Sequence, residues 1–272
     1  MNTVKLSNGV LMPGIGFGVY QTKSGKETEN AVEWALEAGY RHIDTAVIYG
    51  NETSVGKAVK KSGIPRDSLF ITTKLWNEDI RKERVDQAFE KSLENLGLDY
   101  IDLYLIHWPA QGFEKAWKVM EELYNKGKIK AVGVSNFQIH HLKELEKVSL
   151  LKPMVNQIES NPVFNNQDLI NYCKNENILV EAWSPLGGTG TTILGLPELE
   201  SLGKKYSKSP AQIVIKWHLQ RGLVPLPKSV HRERIFSNID VYDFTLDSRD
   251  IELINSLNKN TRVGPDPDNF DF

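Results

Sequence analysis

Residues 40–46 read YRHIDTA, a short run of strand length that carries Asp44 near its end and is followed closely by Tyr49. Lys74 and His107 occupy equivalent places, because each closes a later apolar run. Side chains at the ends of several strands can meet at one place if those strands are parallel. In a parallel α/β barrel, the carboxyl ends of the strands form the catalytic face. The pattern therefore predicts such a barrel and favours an enzyme.

The rest of the chain alternates between apolar runs and segments with apolar residues at three- and four-residue spacing. The eight predicted strands are Ile15–Val19, Arg41–Thr45, Leu69–Lys74, Ile101–His107, Ala131–Ser135, Val155–Glu159, Leu179–Trp183 and Leu223–Pro227. The helix-like segments include Glu27–Ala38, Lys82–Leu96 and Pro210–Gln220. Gly39, Gly63 and Gly97 follow the first three helices, where glycine commonly ends a helix. Eight strands that alternate with helices predict an α/β fold, a single (β/α)8 TIM barrel domain over residues 1–272.

Two glycine patterns lie near the N-terminus. Asn8-Gly9 stands between two alternating runs, which is typical of a β-hairpin with a type I′ turn. We expect this hairpin to close the bottom of the barrel, opposite the catalytic face. The second pattern, GIGFG at residues 14–18, lies within a predicted strand instead of between a strand and a helix. It is therefore interpreted as a bend or close backbone approach and not as a Rossmann fingerprint.

The composition is ordinary for a globular protein, with 40% hydrophobic and 25% charged residues. A formal net charge of -2 gives no electrostatic reason to expect nucleic acid or an anionic membrane as a partner. No apolar run has the length of a signal peptide core or of a membrane span. Cys173 is the only cysteine, which predicts no intrachain disulfide and no cysteine-based metal cluster. We expect a cytoplasmic monomer without a metal.

The four ionisable residues make chemical sense as one proton-transfer device. A tyrosine phenol has a pKa near 10 in water, so a phenol that donates a proton near neutral pH benefits from a neighbouring cation. Lys74 is expected to lower the pKa of Tyr49, while Asp44 holds Lys74 charged and oriented. His107 would donate a hydrogen bond to a substrate carbonyl oxygen. Taken singly, the same residues could equally be a helix cap, a surface charge and a polar residue at the barrel rim.

At these residues the chain resembles the aldo-keto reductase superfamily. The matching segments are YRHIDTA (40–46), YGNE (49–52), TKLW (73–76), LYLIHWP (103–109), GVSNF (133–137), NQ (156–157), WSPLG (183–187) and PKS (227–229), with Arg234 and Asn238. They occur in family order from about Gly9 to Phe244. The compact loop after Trp108 and the ending PDNF (267–270) are most similar to the small prokaryotic-type members. These include glyoxal, methylglyoxal and diketogluconate reductases and a prostaglandin F synthase.

The resemblance implies an NADPH-dependent oxidoreductase that reduces aldehydes and α-dicarbonyls to alcohols, with Tyr49 as general acid and keto sugars as a further candidate substrate class. The implied catalytic residues are Asp44, Tyr49, Lys74 and His107. The implied coenzyme-binding residues are Gly18, Val19, Asp44, Ser135, Asn136, Gln157, Trp183, Ser184, Leu186, Lys228, Ser229, Arg234 and Asn238. The implied substrate-binding residues are Tyr20, Trp76, His107 and Trp108.

Individual roles also follow from the resemblance. The groups that would hold the nicotinamide carboxamide are Ser135, Asn136 and Gln157. Trp183 would stack on the nicotinamide, although many members carry tyrosine there, and Ser184 and Leu186 would touch the pyrophosphate. The groups that would hold the 2′-phosphate are Lys228, Ser229 and Arg234. Independently of the family, two cations and a hydroxyl within seven residues suit a dianionic phosphate, with a solvated charged loop as the alternative.

Two rival functions use the same barrel. One is a regulatory barrel protein that binds the cofactor with negligible turnover, and the other is a phosphate-ester or aldolase-type barrel that uses Lys74 in a Schiff base. The sequence also leaves the physiological substrate open. The Pro- and Asp-rich tail at residues 262–272 either covers the barrel mouth or extends into solvent, and the sequence does not decide between these.

Overall fold

The protein is described by a computed structural model that covers residues 2–188 and 190–270. Within these residues the strands are β1 (Thr3–Lys5), β2 (Leu11–Pro13), β3 (Phe17–Gly18), β4 (His42–Asp44), β5 (Phe70–Leu75), β6 (Ile101–Ile106), β7 (Ile129–Ser135), β8 (Val155–Glu159), β9 (Leu179–Trp183) and β10 (Val224–Pro225). The strands β1 and β2 form an antiparallel pair. The other eight strands form one parallel sheet in which each strand pairs with the next along the chain.

The sheet closes into a barrel between β10 and β3. Gly16 N donates to Pro225 O at 3.1 Å, and Gly18 N donates to Pro227 O at 3.1 Å. A Cβ added at Gly16 would lie 2.5 Å from the Leu226 side chain, so only glycine fits at this seam. The glycines at 14–18 therefore permit close backbone approach, and the predicted (β/α)8 barrel is confirmed.

Helices surround the barrel and connect its strands. In the described part of the chain they are α1 (Lys26–Ala38), α2 (Glu52–Ser62), α3 (Asn77–Arg81), α4 (Val85–Leu96), α5 (Phe113–Asn125), α6 (Ile139–Glu146), α7 (Gln167–Asn175), α8 (Pro197–Tyr206), α9 (Pro210–Gln220), α10 (Arg232–Ile239) and α11 (Ser248–Ser256). Gly39, Gly63 and Gly97 end α1, α2 and α4 with φ of 106°, 66° and 65°, the left-handed conformation that glycine adopts without a steric cost.

One helix boundary was predicted wrongly. A single helix over Lys82–Leu96 was expected, but the chain forms α3 first and then a tight turn in which Glu83 has φ 52°. The helix α4 begins only at Val85. The apolar spacing continues through this turn, so periodicity alone could not reveal it. The helix predicted at Pro210–Gln220 is confirmed and begins with a capping box at Ser209.

The N-terminal hairpin forms as predicted, but with a different turn. Leu6 N donates to Val10 O, and Gly9 N donates to Leu6 O, both at 2.9 Å, which closes a three-residue loop. A type I′ turn needs positive φ at both central residues, and of Asn8 and Gly9 only Gly9 has it, with φ 92°. The side chain of Asn8 donates to Lys130 O at 2.9 Å, at the amino-terminal end of β7. The hairpin therefore lies at the bottom of the barrel.

Apolar and charged residues are buried in different layers. Phe89, Trp117 and Trp217 are fully buried between or beside the helices, and each such side chain contributes about 1.5–3 kcal/mol on burial. Asp44 and Lys74, in contrast, are charged residues of the barrel strands that are also buried. No helix in residues 2–188 and 190–270 combines the length and apolarity needed to cross a membrane. Buried charge at strand ends marks the carboxyl end of the barrel as the candidate site.

Candidate active site

A cavity of about 1280 Å³ opens at the carboxyl ends of the barrel strands. The predicted site residues that line it are Gly18, Tyr20, Asp44, Tyr49, Trp76, His107, Trp108, Ser135, Asn136, Gln157, Trp183, Ser184, Leu186, Lys228, Ser229, Arg234 and Asn238. The parallel sheet brings them together because all eight strands end at the same rim. Lys74 and Val19 do not line the cavity, since both are fully buried in the barrel.

Lys74 lies behind the cavity wall. Its Nζ donates to Asp44 Oδ1 at 2.6 Å and to Thr45 O at 2.8 Å, and lies 5.1 Å from the centroid of the Tyr49 ring. The side chain has no exposed surface, so a substrate carbonyl in the cavity cannot reach the amine without breaking the ion pair. This arrangement disfavours a Schiff base on Lys74 and suits a cation that acts through Tyr49.

Tyr49 is half-buried at the end of a single 3₁₀ turn, Val47–Tyr49, that follows β4. Burial raises the pKa of its phenol well above 10, and the negative charge of Asp44 raises it further. A lowered pKa was expected, but the net shift is upward, because desolvation outweighs the stabilisation that Lys74, already paired with Asp44, gives the phenolate. A raised pKa keeps the phenol protonated at neutral pH, so Tyr49 can only donate its proton.

His107 follows β6 and contacts Tyr49 edge to face, with 5.7 Å between ring centroids. Burial lowers the pKa of its imidazole well below 6.5, and the charge of Lys74 lowers it further. The ring is therefore neutral at pH 7 and carries one N–H. Its Nδ1 is buried and makes no hydrogen bond to the described residues, while the ring itself lines the cavity, where a ligand can contact it.

Three polar side chains line the wall beyond His107. Asn136 Nδ2 donates to His107 O at 2.9 Å and to Ser135 Oγ at 3.1 Å, while Asn136 Oδ1 accepts from Trp183 Nε1 at 2.8 Å. Gln157 Nε2 donates to Asp44 Oδ2 at 2.8 Å. Asn136 has φ 66°, a conformation that is uncommon outside glycine and concentrates at functional sites. These bonds hold the amide groups of Asn136 and Gln157 in fixed orientations at one part of the cavity.

The other end of the cavity is positively charged. Lys228 and Arg234 line it, and neither forms an ion pair with a carboxylate of the described residues. Ser229 is buried beside them and accepts from His231 N at 3.0 Å through its Oγ. Cations that face a cavity without a protein counter-ion suit an anionic ligand. Val19, in contrast, accepts from Asn51 Nδ2 through its carbonyl and presents no side chain to this region.

Aromatic rings form the third part of the wall. Tyr20 lies 5.0 Å from Tyr49, and Trp76 lies 5.2 Å from His107, measured between ring centroids. Trp108 stacks on Phe270 at 3.9 Å, so the tail covers this side of the cavity as far as residue 270. Asp271 and Phe272, the last two residues of the tail, lie outside the described residues, as does Thr189. The sequence named Tyr20, Trp76 and Trp108 but gave no signal for Phe270.

Glu159, at the end of β8, holds the tail. It was not predicted as a site residue from the sequence. Its Oε1 accepts from Val263 N at 2.7 Å, and its Oε2 accepts from Gly264 N at 3.2 Å. A Cβ added at Gly264 would lie 2.3 Å from the Trp183 ring, so glycine allows the tail to pack against that indole. Glu159 ends a strand, as Asp44 does, and this position at the strand end was the signal that could have identified it as a site residue.

A cluster of possible metal ligands lies beside the tail. His140 Nε2 and His141 Nε2 lie 3.2 and 3.8 Å from Asp268 Oδ1. However, Gln138 N donates to His141 Nδ1 at 3.1 Å, which keeps the proton of a neutral His141 ring on Nε2. That N–H faces the carboxylate, and a metal at Nε2 would require the capping bond to break. The cluster is therefore better described as a contact between α6 and the tail.

The barrel and its cavity, with buried ionisable groups at one end and two cations at the other, are typical of an enzyme. The model of the Aldo/keto reductase family matches residues 14–259, and the chain belongs to this family of oxidoreductases. It is 51% identical to 9,11-endoperoxide prostaglandin H2 reductase of Trypanosoma cruzi over 99% of this chain and 96% of that protein. It is 50% identical to glyoxal reductase of Bacillus subtilis over 100% of this chain and 98% of that protein.

Methylglyoxal reductase DkgA of Escherichia coli is 47% identical over 98% of this chain and 97% of that protein. Solved structures of aldo-keto reductases also superimpose on this chain. The aldo-keto reductase MGS-M4 from a deep-sea metagenome library superimposes with a TM-score of 0.96 at 47% identity, over 99% of this chain and 100% of that chain. A Bombyx mori aldo-keto reductase in complex with NADP superimposes with a TM-score of 0.92 at 37% identity, over 98% of this chain and 96% of that chain.

Proposed function

We propose that this enzyme reduces small aldehydes and α-dicarbonyls to alcohols with NADPH, and that Tyr49 is the proton donor. The carrying observation is that the Tyr49 phenol lines the cavity beside the His107 ring and in front of the Lys74–Asp44 ion pair, and the shifted pKa values of Tyr49 and His107 favour a protonated phenol and a neutral imidazole. A proton donor and a hydrogen-bond donor at one place suit a carbonyl oxygen that gains negative charge.

The polar groups at the two ends of the cavity support NADPH as the coenzyme. The polar groups at one end, the Ser135 hydroxyl and the Asn136 and Gln157 amides, are suited to the nicotinamide carboxamide. The unpaired cations at the other end, Lys228 and Arg234, are suited to the 2′-phosphate. The Bombyx mori relative is in complex with NADP, which supports the same coenzyme class here. When bound, NADPH would supply the hydride that attacks the carbonyl carbon.

The protein residues supply the proton and the geometry. Tyr49 transfers its phenolic proton to the carbonyl oxygen as the C–O bond becomes that of an alcohol. The resulting phenolate is stabilised by Lys74, whose Nζ lies 5.1 Å from the ring centroid, and Asp44 keeps that cation in place. His107 donates its single N–H to the same oxygen and orients it. Trp76 and Trp108 limit the access of water.

Small and reactive carbonyl compounds are the proposed substrates. The relatives are named for glyoxal, methylglyoxal and prostaglandin H2, two of which are small α-dicarbonyls. The substrate end of the cavity is aromatic, with Tyr20, Trp76, Trp108 and Phe270 on its wall. Such a wall offers few specific polar contacts, so intrinsic carbonyl reactivity should dominate selectivity. Keto sugars, which need several hydrogen bonds, should be reduced less well.

Tyr49→Phe tests the proton donor. Single-turnover reduction of methylglyoxal should fall by about 10²–10⁴-fold, the usual contribution of a positioned acid, while NADPH still binds. Tyr104→Phe is the matched control, because it removes a buried phenol that lies outside the cavity and makes no hydrogen bond to the described residues. The Tyr49 assignment fails if the variant keeps more than half of the wild-type rate.

A substrate panel tests the reaction itself. Methylglyoxal, glyoxal, nitrobenzaldehyde, a keto sugar and a steroid ketone should be compared by NADPH oxidation. We expect the first three to react best. If NADPH binds tightly but none of the compounds is turned over, the barrel is a cofactor-binding regulatory protein instead. If only the steroid reacts, the proposed substrate class is wrong.

A further inference from the structure

A second acidic side chain, that of Glu181 on β9, lies inside the barrel next to the Asp44–Lys74 ion pair. It has no exposed surface, and no part of the mechanism above uses it. Its Oε2 accepts from Gln157 Nε2 at 2.8 Å, the same nitrogen that donates to Asp44 Oδ2 at 2.8 Å. Both hydrogens of one amide are therefore bound by two carboxylates on different strands.

This double contact fixes the orientation of the Gln157 amide. The reversed orientation would place the amide oxygen against the Asp44 carboxylate, with repulsion in place of a hydrogen bond, and would leave Glu181 Oε2 without its donor. With its NH2 group committed to Asp44 and Glu181, the amide has only its oxygen left for a ligand. Gln157 lines the cavity, so a ligand there meets a hydrogen-bond acceptor at this position.

The charges around Glu181 support this arrangement. Burial raises its pKa to about 8, and the charge of Asp44 adds to the effect, while the Gln157 hydrogen bond and Lys74 act in the opposite direction. His42, whose Nε2 lies 3.6 Å from Glu181 Oε1, is neutral because burial lowers its pKa to about 3. Near pH 7 Glu181 is therefore mostly protonated, and its Oε2 accepts the Gln157 hydrogen bond without competing with Asp44 for Lys74.

We propose that Glu181 is a positioning residue for the coenzyme: with Asp44 it holds the Gln157 amide so that its oxygen accepts an N–H of the nicotinamide carboxamide. The proposal rests on the proposed function, since it assumes that the nicotinamide end of NADPH binds beside Gln157. It identifies a residue within strand β9, two positions before the indole of Trp183, that acts on the coenzyme without touching it.

The test compares two coenzymes by equilibrium binding, without turnover. Reduced 3-acetylpyridine adenine dinucleotide phosphate carries a methyl ketone in place of the carboxamide and has no N–H for Gln157. Glu181→Met removes the acceptor with little change in length. NADPH affinity should fall by about 3- to 10-fold, as for one neutral hydrogen bond, while the affinity for the acetylpyridine analogue stays within about 2-fold.

Two further variants make the test specific. Glu181→Gln keeps an acceptor at the same place and should restore NADPH affinity to within about 2-fold of wild type. Glu181→Thr suits a strand, cannot reach Gln157 and should repeat the Glu181→Met result if that variant does not fold. Equal losses for both coenzymes, or no rescue by glutamine, would show a merely structural role and overturn the proposal. A wild type that does not bind NADPH would overturn the proposed function and this inference with it.

Discussion

Replacing Arg234 with alanine removes one of two cations that face the anionic end of the cavity. A charge-assisted hydrogen bond contributes about 1.5–3 kcal/mol, but Arg234 is exposed, so solvent screening places its contribution toward the low end. A loss of about 1–2 kcal/mol corresponds to an increase in the NADPH Kd of about 5- to 30-fold. NADH lacks the 2′-phosphate, so its Kd should change by less than about 2-fold.

Quenching of tryptophan fluorescence measures both affinities, because Trp76, Trp108 and Trp183 line the cavity. Arg232→Ala is the matched control. Arg232 is an exposed arginine on the same helix, α10, but it pairs with Glu37 at 2.6 Å and does not line the cavity. Raised ionic strength should weaken NADPH more than NADH in the wild type, since the additional contact is ionic.

Two results would refute this reasoning. Equal losses for NADPH and NADH in Arg234→Ala would assign the residue to folding or to pyrophosphate binding. A wild type that binds NADH as tightly as NADPH would show that the cations at this end of the cavity do not select the phosphate.

Three further predictions follow from the interior of the barrel. Lys74→Met should lower single-turnover reduction about as much as Tyr49→Phe, and the double variant should be hardly slower than either, because the two groups act as a unit; multiplicative losses would contradict this. Glu181→Gln should change the dependence of stability on pH. The raised pKa makes the contribution of Glu181 to stability fall as pH rises from about 4.5 to about 8, so the free energy of unfolding of the wild type, taken relative to that of the variant in urea titrations, should be lower at the upper end of that range than at the lower end; an unchanged difference would contradict this. Gly264→Ala would place a Cβ 2.3 Å from the Trp183 ring, so a higher KM for the carbonyl and altered tryptophan emission are expected; an unchanged enzyme would mean that the tail does not rest there.

The barrel could be predicted from the sequence because its signals are local. Alternating apolar runs and helical spacing specify the elements, and Gly39, Gly63 and Gly97 mark helix ends through their own backbone preference. Asp44 and His107 could be assigned to one face for a similar reason, since position at a strand end fixes the face once the strands are parallel.

Contacts between distant strands could not be predicted in this way. Glu181 lies within the strand LVEAW and Glu159 at the end of VNQIE, and although a strand end can indicate a site, nothing beside either residue in the sequence indicates its partner. Glu181 meets the amide of Gln157, 24 residues earlier, and Glu159 meets the backbone of Val263, 104 residues later. Only the closed barrel and the folded tail bring these groups within hydrogen-bonding distance.

The sequence by itself determined which chemical groups surround the cavity: a phenol, an imidazole, an ion pair and two cations. The tertiary structure decided how those groups are protonated. The chemistry of the side chains alone suggested a lowered pKa for Tyr49, whereas its burial and the nearby charge of Asp44 raise it. Desolvation and the distances between charges control a pKa, and both exist only after the strands have closed around the site.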